Sequence, residues 1–227
     1  ATTAQRQGLA PPDRSADERR EAAHARIAAT RETMVVLEAA GYDVVLVETV
    51  GVGQSETIVA GMVDFFLVLM LPGSGDELQG IKKGVLELAD LLAVNKADGD
   101  NELRARQAAR DYQMALHLLS PASPNWTPPV LTCSGLTGQG LDNLWDQIVR
   151  HRRRLTESGE WDERRRQQQL RWMWAMVEER LIEQFHADPG VAALAPALTV
   201  AVTSGELTPG AGADQLLDIV SDADEGP

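Results

Sequence analysis

Four short and nearly continuous apolar runs constrain the fold of this chain more than any other feature. They cover residues 43–48, 65–71, 91–95 and 129–133. Helical patterns lie between these runs, near residues 56–62, 80–89 and 102–119. Strands buried on both faces of a parallel sheet have this composition, and alternation of strands with helices is typical of α/β proteins. The sequence therefore predicts a parallel sheet flanked by helices.

A polar tetrapeptide, Asn95-Lys96-Ala97-Asp98, ends the third run. NKxD after a buried strand is the pattern with which GTPases recognise guanine. The Asp98 carboxylate can accept hydrogen bonds from the ring N–H and the exocyclic amine of guanine, whereas adenine would leave it unpaired at a cost of ~1–3 kcal/mol. Lys96 would lay its alkyl stem over the base, and Asn95 would tie neighbouring loops together. The alternative is an ordinary polar turn after a strand.

The fourth run leads into a second loop, Ser134-Gly135-Leu136, which comes before a predicted helix near Leu141. In GTPases a loop of this type places a backbone N–H on the O6 atom of guanine. We therefore predict that Ser134, Gly135 and Leu136 bind the base. A plain strand-to-helix turn is the alternative, but the order of the motifs on successive strands is stronger evidence than any single motif.

The first run ends in an acidic residue and a glycine-rich segment, Glu48-Thr49-Val50-Gly51. This is the layout of a Walker-B strand and a second switch, in which the acid reaches toward Mg²⁺ and the glycine N–H approaches the γ-phosphate. Ras-like GTPases have a water-orienting glutamine after this glycine, whereas this chain has Val52 there and Gln54 two residues on. We predict Glu48, Gly51 and Gln54 as catalytic residues, with Glu48 also at the metal. A glycine-rich loop of another α/β enzyme is the alternative.

A further glycine-rich stretch, Leu71 to Gly84, lies where ordinary GTPases have no insertion. Together with the segment from Glu48 to Glu56, it resembles the MeaB/ArgK family, which includes the human methylmalonic aciduria type A protein. The resemblance covers roughly residues 28–220. In that family the stretch is a third switch, which responds to nucleotide and contacts the partner protein. The residues that the resemblance assigns to this coupling are Gly73, Gly75, Asp76, Glu77, Gln79, Lys82 and Lys83.

Members of this family are G-protein chaperones of adenosylcobalamin-dependent methylmalonyl-CoA mutase. The resemblance implies a P-loop-NTPase-type sheet, GTP or GDP with Mg²⁺ as cofactors, and a homodimer built through C-terminal helices. GTP binding and hydrolysis would gate the loading of adenosylcobalamin into methylmalonyl-CoA mutase or a related acyl-CoA mutase and would help to protect that enzyme. An adenosyltransferase is a second candidate partner. The DxHxxG sequence of cobalamin-binding domains is absent, so this chain is expected to hold no cobalamin.

The phosphate-binding loop of such proteins has no counterpart in these residues. GxxxxGK[ST] does not occur, and residues 1–28 do not align with the family. A fragment, a frame-shifted or rearranged start and a truncated relative are the three explanations, among which the sequence does not choose. We therefore expect an incomplete G domain over residues 29–155. The alternative function is a non-catalytic interaction or dimerisation remnant that binds no nucleotide.

The pattern changes after Gly159, where strand signals end. Apolar residues recur at three- and four-residue spacing and define one helical face. They are Leu170, Trp174, Val177, Leu181 and Phe185. Packing of this face on the preceding domain is one possibility, and a dimerisation arm over residues 160–220 is the other, which the resemblance favours. Residues 221–227 are predicted to form a disordered acidic tail.

Composition argues against a nucleic-acid-binding, a membrane-spanning or a secreted protein. The net charge is 21 − 34 = −13, and no concentrated basic face argues for a nucleic-acid partner. No apolar run reaches the ~18 residues of a membrane span, and no signal peptide is visible. The single cysteine, Cys133, suits the cytoplasm and is interpreted as a small buried residue. The Arg164–Arg166 run is interpreted as a solvated helix face rather than an anion site. The histidines lack metal-ligand spacing and are predicted to lie at the surface or at an interface; they are His24, His117, His151 and His186.

Overall fold

The computed structural model describes residues 29–49, 55–73, 83–119 and 123–223. These residues form two compact units, and the boundary between the units falls after Arg165. The N-terminal segment 1–28 and most of the two predicted switch loops lie outside the described residues.

A three-stranded parallel sheet forms the centre of the first unit. Its strands, in the order β1-β2-β3, are β1 (Leu67–Met70), β2 (Leu91–Val94) and β3 (Val130–Thr132). Ala93 in the middle of β2 is in register with Leu69 on one side and with Leu131 on the other. All four residues of β2 are fully buried, which is the environment that its apolar sequence LLAV predicts.

Helices cover both faces of this sheet. Helices α3 (Lys83–Leu88) and α4 (Glu102–His117) lie on one face and α5 (Leu141–Ser158) on the other, and α1 (residues 29–39) and α2 (Ser55–Ala60) precede them in the chain. Leu92 and Val94 pack in one cluster with Tyr112 of α4, whereas Leu91 and Ala93 pack in another with Leu144 of α5. This alternation follows from the two-residue period of a strand. The predicted α/β class is confirmed.

The second unit is helical. Helix α6 (Glu160–Ala187) begins in the first unit, and α7 (Pro189–Ser204) and α8 (Pro209–Ala223) follow it. The Asp188 carboxylate accepts hydrogen bonds from the backbone N–H groups of Gly190 (2.8 Å) and Val191 (3.0 Å), which caps α7. Helix α7 packs against α8 and continues through Pro196. Helix α8 extends into the predicted tail.

The described residues contain no single helix with both the length and the apolar content of a membrane span. Only α6 and α7 taken together have that length and composition, and the chain bends by 80° between them.

The strand predicted at residues 43–48 does not form. Residues 43–49 contain no strand, and the side chains of Val44 and Leu46 are 49% and 87% exposed. An extended segment becomes a strand only when a neighbouring strand supplies partners for its backbone N–H and C=O groups. Within the described residues β1 pairs with β2 alone, so nothing there pairs with this segment. The prediction was wrong because apolar composition supplies no pairing partner.

Candidate functional site

Two loops meet at the carboxyl edge of the sheet, where β2 and β3 end. Residues 95–98 follow β2, and residues 133–136 follow β3. The backbone N–H of Cys133 donates to the Val94 carbonyl at 2.9 Å, and the N–H of Ala97 donates to the Cys133 carbonyl, also at 2.9 Å. The parallel pairing of the two strands therefore continues into the loops and holds them side by side.

Asn95 bridges the two loops through one side-chain oxygen. Its Oδ1 accepts a hydrogen bond from the backbone N–H of Gly135 at 3.0 Å and another from that of Lys96 at 2.7 Å. The first bond crosses between the loops, and the second bends the chain locally. Lys96 has a left-handed backbone conformation, with φ of 58°, which is uncommon for a residue other than glycine. Its side chain is exposed.

Ser134 fixes the position of Asp98. Ser134 is completely buried, and its hydroxyl group donates a hydrogen bond to Oδ2 of Asp98. The same Oγ accepts hydrogen bonds from the backbone N–H groups of Leu136 (3.2 Å) and Thr137 (3.1 Å), so one hydroxyl orders both the carboxylate and its own loop. The half-buried Asp98 is thus an oriented acceptor of hydrogen bonds beside the exposed Gly135 and the 87% exposed Leu136.

Gly140 ends the second loop in a place where no side chain fits. Its φ is +79°, and a Cβ atom added there would lie 2.5 Å from the Thr132 carbonyl oxygen. The neighbouring Gln139 carbonyl accepts a hydrogen bond from the Ser134 N–H at 2.9 Å. The tight turn at Gly140 therefore returns the chain to α5 while Ser134 stays against β3.

A cavity of about 230 Å³ lies beside the two loops, and its wall includes Ala97, Arg106, Cys133 and Gly140. Cys133 is buried, as predicted, and burial raises the pKa of its thiol. A thiol that stays protonated is a poor nucleophile. The cysteine therefore contributes packing rather than chemistry to this part of the site.

Of the other predicted site residues, the structure describes Glu48, Gly73 and Lys83, and none of the three has a hydrogen bond to these loops. Glu48 is exposed in the segment that forms no strand, and Gly73 occupies a turn with φ of +90°. Lys83 begins α3. The remaining predicted switch residues, which lie outside the described residues, are Gly51, Gln54, Gly75, Asp76, Glu77, Gln79 and Lys82.

The described residues also provide no assembled magnesium site. Mg²⁺ prefers several oxygen ligands at short distance, and no group of three or more candidate metal-binding side chains occurs in the described ranges. Because Mg²⁺ usually takes only one or two carboxylates, together with water and substrate phosphates, the role of Glu48 at the metal stays a prediction.

Sequence reasoning missed a buried charged cluster at the opposite, amino edge of the sheet. Asp90 immediately precedes β2 and is 4% exposed. It accepts hydrogen bonds from the Phe66 N–H at 2.8 Å and from both terminal nitrogens of Arg164 at 3.1–3.3 Å. The Nε2 atom of the completely buried His151 lies 3.4 Å from Oδ1 of Asp90. Trp126 donates its indole N–H to the Asp90 carbonyl at 2.7 Å.

These contacts change the titration of Asp90. Burial raises its pKa, but the contacts with His151, Arg164 and the Phe66 N–H together outweigh burial and hold the pKa below its ordinary value of 3.8. Arg165 likewise pairs with Asp64, which raises the pKa of the guanidinium.

The surface prediction was therefore wrong for the completely buried His151 and for Arg164, whose guanidinium pairs with the buried Asp90. Arg165, with a side chain that is 41% exposed, lies at the surface as predicted. A charged residue directly before a wholly apolar strand, Asp90 before LLAV, was a signal that a charge is buried there, but it did not indicate which residues pair with it.

Comparison with known proteins gives a consistent result. A family model described as "Methylmalonyl Co-A mutase-associated GTPase MeaB" matches residues 19–190. A relative from Caulobacter vibrioides is 63% identical over 83% of this chain and 57% of its own length. "GTPase ArgK" of Escherichia coli is 45% identical over 84% of this chain and 57% of its own length.

A mouse relative, "Methylmalonic aciduria type A homolog, mitochondrial", is 43% identical over 83% of this chain and 45% of its own length. The crystal structure of a "LAO/AO transport system kinase" superposes with a TM-score of 0.70 and 42% identity, over 84% of this chain and 61% of that one. This chain thus spans about half the length of the curated relatives that it matches.

Proposed function

This chain belongs to the family of methylmalonyl-CoA mutase-associated GTPases that is named MeaB, and we propose that its paired loops recognise the guanine base of GTP and GDP. GTPase activity is supported for the family, because its relatives carry GTPase names. The activity of this protein itself is our proposal. The alternative, an interaction module that binds no nucleotide, is not favoured by these relatives.

The observation that carries the proposal is the fixed carboxylate of Asp98. Ser134 holds one of its oxygens, and Asn95 holds the neighbouring loop, so the acceptor is oriented before any ligand arrives. Guanine offers two adjacent N–H donors to a carboxylate, and adenine does not. A mismatched base leaves the acceptor without a partner at a cost of ~1–3 kcal/mol, which corresponds to roughly 5- to 150-fold in affinity.

We propose methylmalonyl-CoA mutase, or a related acyl-CoA mutase, as a partner protein. Its support is the description of the family model and the name of the mouse relative. We propose that nucleotide binding and hydrolysis gate the loading of adenosylcobalamin into methylmalonyl-CoA mutase or a related acyl-CoA mutase, and that the mutase rather than this chain holds the cobalamin. An adenosyltransferase is a second proposed partner. Localisation in the cytoplasm is also a proposal, which rests on the single cysteine.

We also propose that Glu48, Gly51 and Gln54 take part in GTP hydrolysis, from the sequence motif that contains them and from the family. In GTPases Mg²⁺ bridges the phosphates and neutralises charge in the transition state. Since the described residues form no such metal site, we derive no hydrolytic step from them. The coupling role of the segment from Gly73 to Lys83 is likewise proposed from its glycine-rich sequence and from the family.

A homodimer is proposed from α6. Its apolar face is exposed, with Leu170, Trp174 and Leu181 at 48%, 55% and 59% of their full accessibility. Apolar patches of this kind mark interaction surfaces in soluble proteins. A second copy of the same helix offers a matching apolar face, as isologous dimers require.

Fluorescence anisotropy titrations of the 227-residue chain with N-methylanthraniloyl-GDP and N-methylanthraniloyl-ADP test base recognition. We expect the GDP analogue to bind more tightly by roughly 5- to 150-fold, as worked out above. Asp98→Ala should remove most of this preference. Asp100→Ala is the matched control, because Asp100 is an exposed aspartate in the adjacent turn.

Equal affinity for both analogues, or an unchanged preference in Asp98→Ala, would show that Asp98 does not read the base. Absence of binding to either analogue would favour the interaction module instead. Since the sequence contains no GxxxxGK[ST], we expect dissociation constants weaker than about 1 µM, because several charge-assisted hydrogen bonds to phosphate are missing.

A further inference from the structure

A second cavity, of about 310 Å³, lies at the amino edge of the sheet, opposite the base loops. The segment that leads into β3 forms one wall, and α5 forms the other with Gln147, Arg150 and Arg154. Residues that line it include Asn125, Trp126, Thr127, Gln147, Arg150 and Arg154. Because the base loops follow the strands and this segment precedes one, the two sites are on opposite edges of the sheet.

Two arginines of this cavity differ from their neighbours in having no ion-pair partner in the part of the chain that the structure describes. Arg150 and Arg154 form no ion pair with any described residue, although the whole chain has 34 acidic side chains. Arg153, between them in sequence, lies 3.9 Å from a carboxylate oxygen of Glu157, and Arg152 lies over an indole ring at 5.5 Å. The two arginines of α5 that do not line the cavity thus have partners, whereas the two that line it form no ion pair with a described residue.

The spacing of this pair suits one anion. Residues four apart on a helix are neighbours on the same face, so both guanidinium groups serve one cavity. Each guanidinium presents several N–H donors in a planar fork that matches a phosphate or a carboxylate. Asn125, Thr127 and Gln147 add neutral polar groups around them.

We propose that this cavity binds a small metabolite with a phosphate or carboxylate group, held by Arg150 and Arg154. Its volume lies near the lower end of the roughly 300–1,000 Å³ that is typical of small-molecule sites. A concave space of this size favours a small molecule over a polymer, which needs a long surface. The proposal is independent of guanine recognition, since it uses neither of the base loops.

Isothermal titration calorimetry of the 227-residue chain with pyrophosphate, inorganic phosphate and citrate tests this site. We expect pyrophosphate or citrate to bind, and Arg150→Gln and Arg154→Gln each to weaken binding roughly 10-fold or more, because each removes charge-assisted hydrogen bonds. The double variant should show no binding. Arg153→Gln is the matched control: it removes the same charge from the same helix outside the cavity, and it should change the affinity less than about twofold.

Circular dichroism would establish that the variants keep the helical content of the parent. If none of the three anions binds at millimolar concentration, or if Arg153→Gln weakens binding as much as the cavity variants, the proposal is wrong. Displacement of pyrophosphate by guanosine would place the anion at the base loops and would also overturn it. So would binding of a hexaglutamate peptide through these arginines without binding of the small anions, because the surface would then recognise a protein.

Discussion

Asp90 is the residue whose replacement tests the packing of the first unit most directly. Asp90→Asn keeps the size of the side chain and an acceptor for the Phe66 N–H, but it removes the charge that pairs with Arg164. Removing one member of a buried ion pair costs ~3–5 kcal/mol, because the other charge stays uncompensated. The Arg164 side chain is 24% exposed and can regain some hydration. We therefore expect Asp90→Asn to lower the free energy of unfolding by ~2–4 kcal/mol.

The loss should depend on pH in a definite direction. The pKa of Asp90 is lower in the folded protein than its ordinary value of 3.8. The ionised carboxylate therefore contributes stability above that ordinary value, and the contribution disappears as the pH falls through the lower folded pKa. The difference in unfolding free energy between the parent and Asp90→Asn should be full at pH 7 and should shrink below about pH 4.

Urea unfolding, followed by circular dichroism between pH 7 and pH 3, measures this difference. Asp146→Asn is the control, since Asp146 is exposed on α5 and should change stability by less than ~0.5 kcal/mol. The double variant Asp90→Asn with Arg164→Met should be less destabilised than the sum of the single variants. A loss below ~1 kcal/mol at pH 7, or a difference that does not vary with pH, would refute the reasoning.

Three further predictions concern the site and the assembly. Asp98→Asn should shift preference from GDP toward xanthosine diphosphate, because the amide can donate to the xanthine carbonyl; competition titrations measure the ratio, and an unchanged ratio contradicts the assignment. Gly140→Ala should weaken GDP binding and stability more than Gly138→Ala, since both glycines have φ of +79° but only the first would clash, and equal effects would exclude the clash. Trp174→Glu should reduce the mass measured by light scattering from that of a dimer to that of a monomer, and the control Gln169→Glu should leave it unchanged. A parent protein that is itself monomeric would contradict the proposed dimer.

Three of the four predicted strands form, and the apolar composition that predicted them also explains why the fourth prediction failed. The runs at 65–71, 91–95 and 129–133 contain the three strands that form, because a fully buried parallel strand must be apolar on both faces. The run at 43–48 has the same composition but no pairing partner among the described residues. Apolar composition therefore predicts which segments can become strands, and pairing decides which do.

The sequence also predicts that the two loops after β2 and β3 lie together, because the carboxyl ends of neighbouring parallel strands share one edge. These loops contain Asn95, Asp98, Ser134 and Gly135. The charged cluster around Asp90 could not be predicted from the sequence in this way. Its partners are 74 residues apart in the case of Asp90 and Arg164, so no local pattern joins them. A charge on a helical pattern looks solvated until its distant partner is known.

Strand β2 connects the predictable and the unpredictable parts of the first unit. Asp90 precedes its first residue, Leu91, and Asn95 follows its last residue, Val94. The amino end is held by charges that the protein buries and pairs internally, whereas the carboxyl end presents an acceptor, Asp98, whose second oxygen has no hydrogen bond within the described residues. Buried pairing of the first kind stabilises a fold, and an oriented acceptor of the second kind is available to a ligand. Variants at Asp90 should consequently lower stability while the remaining folded molecules keep their preference for guanine.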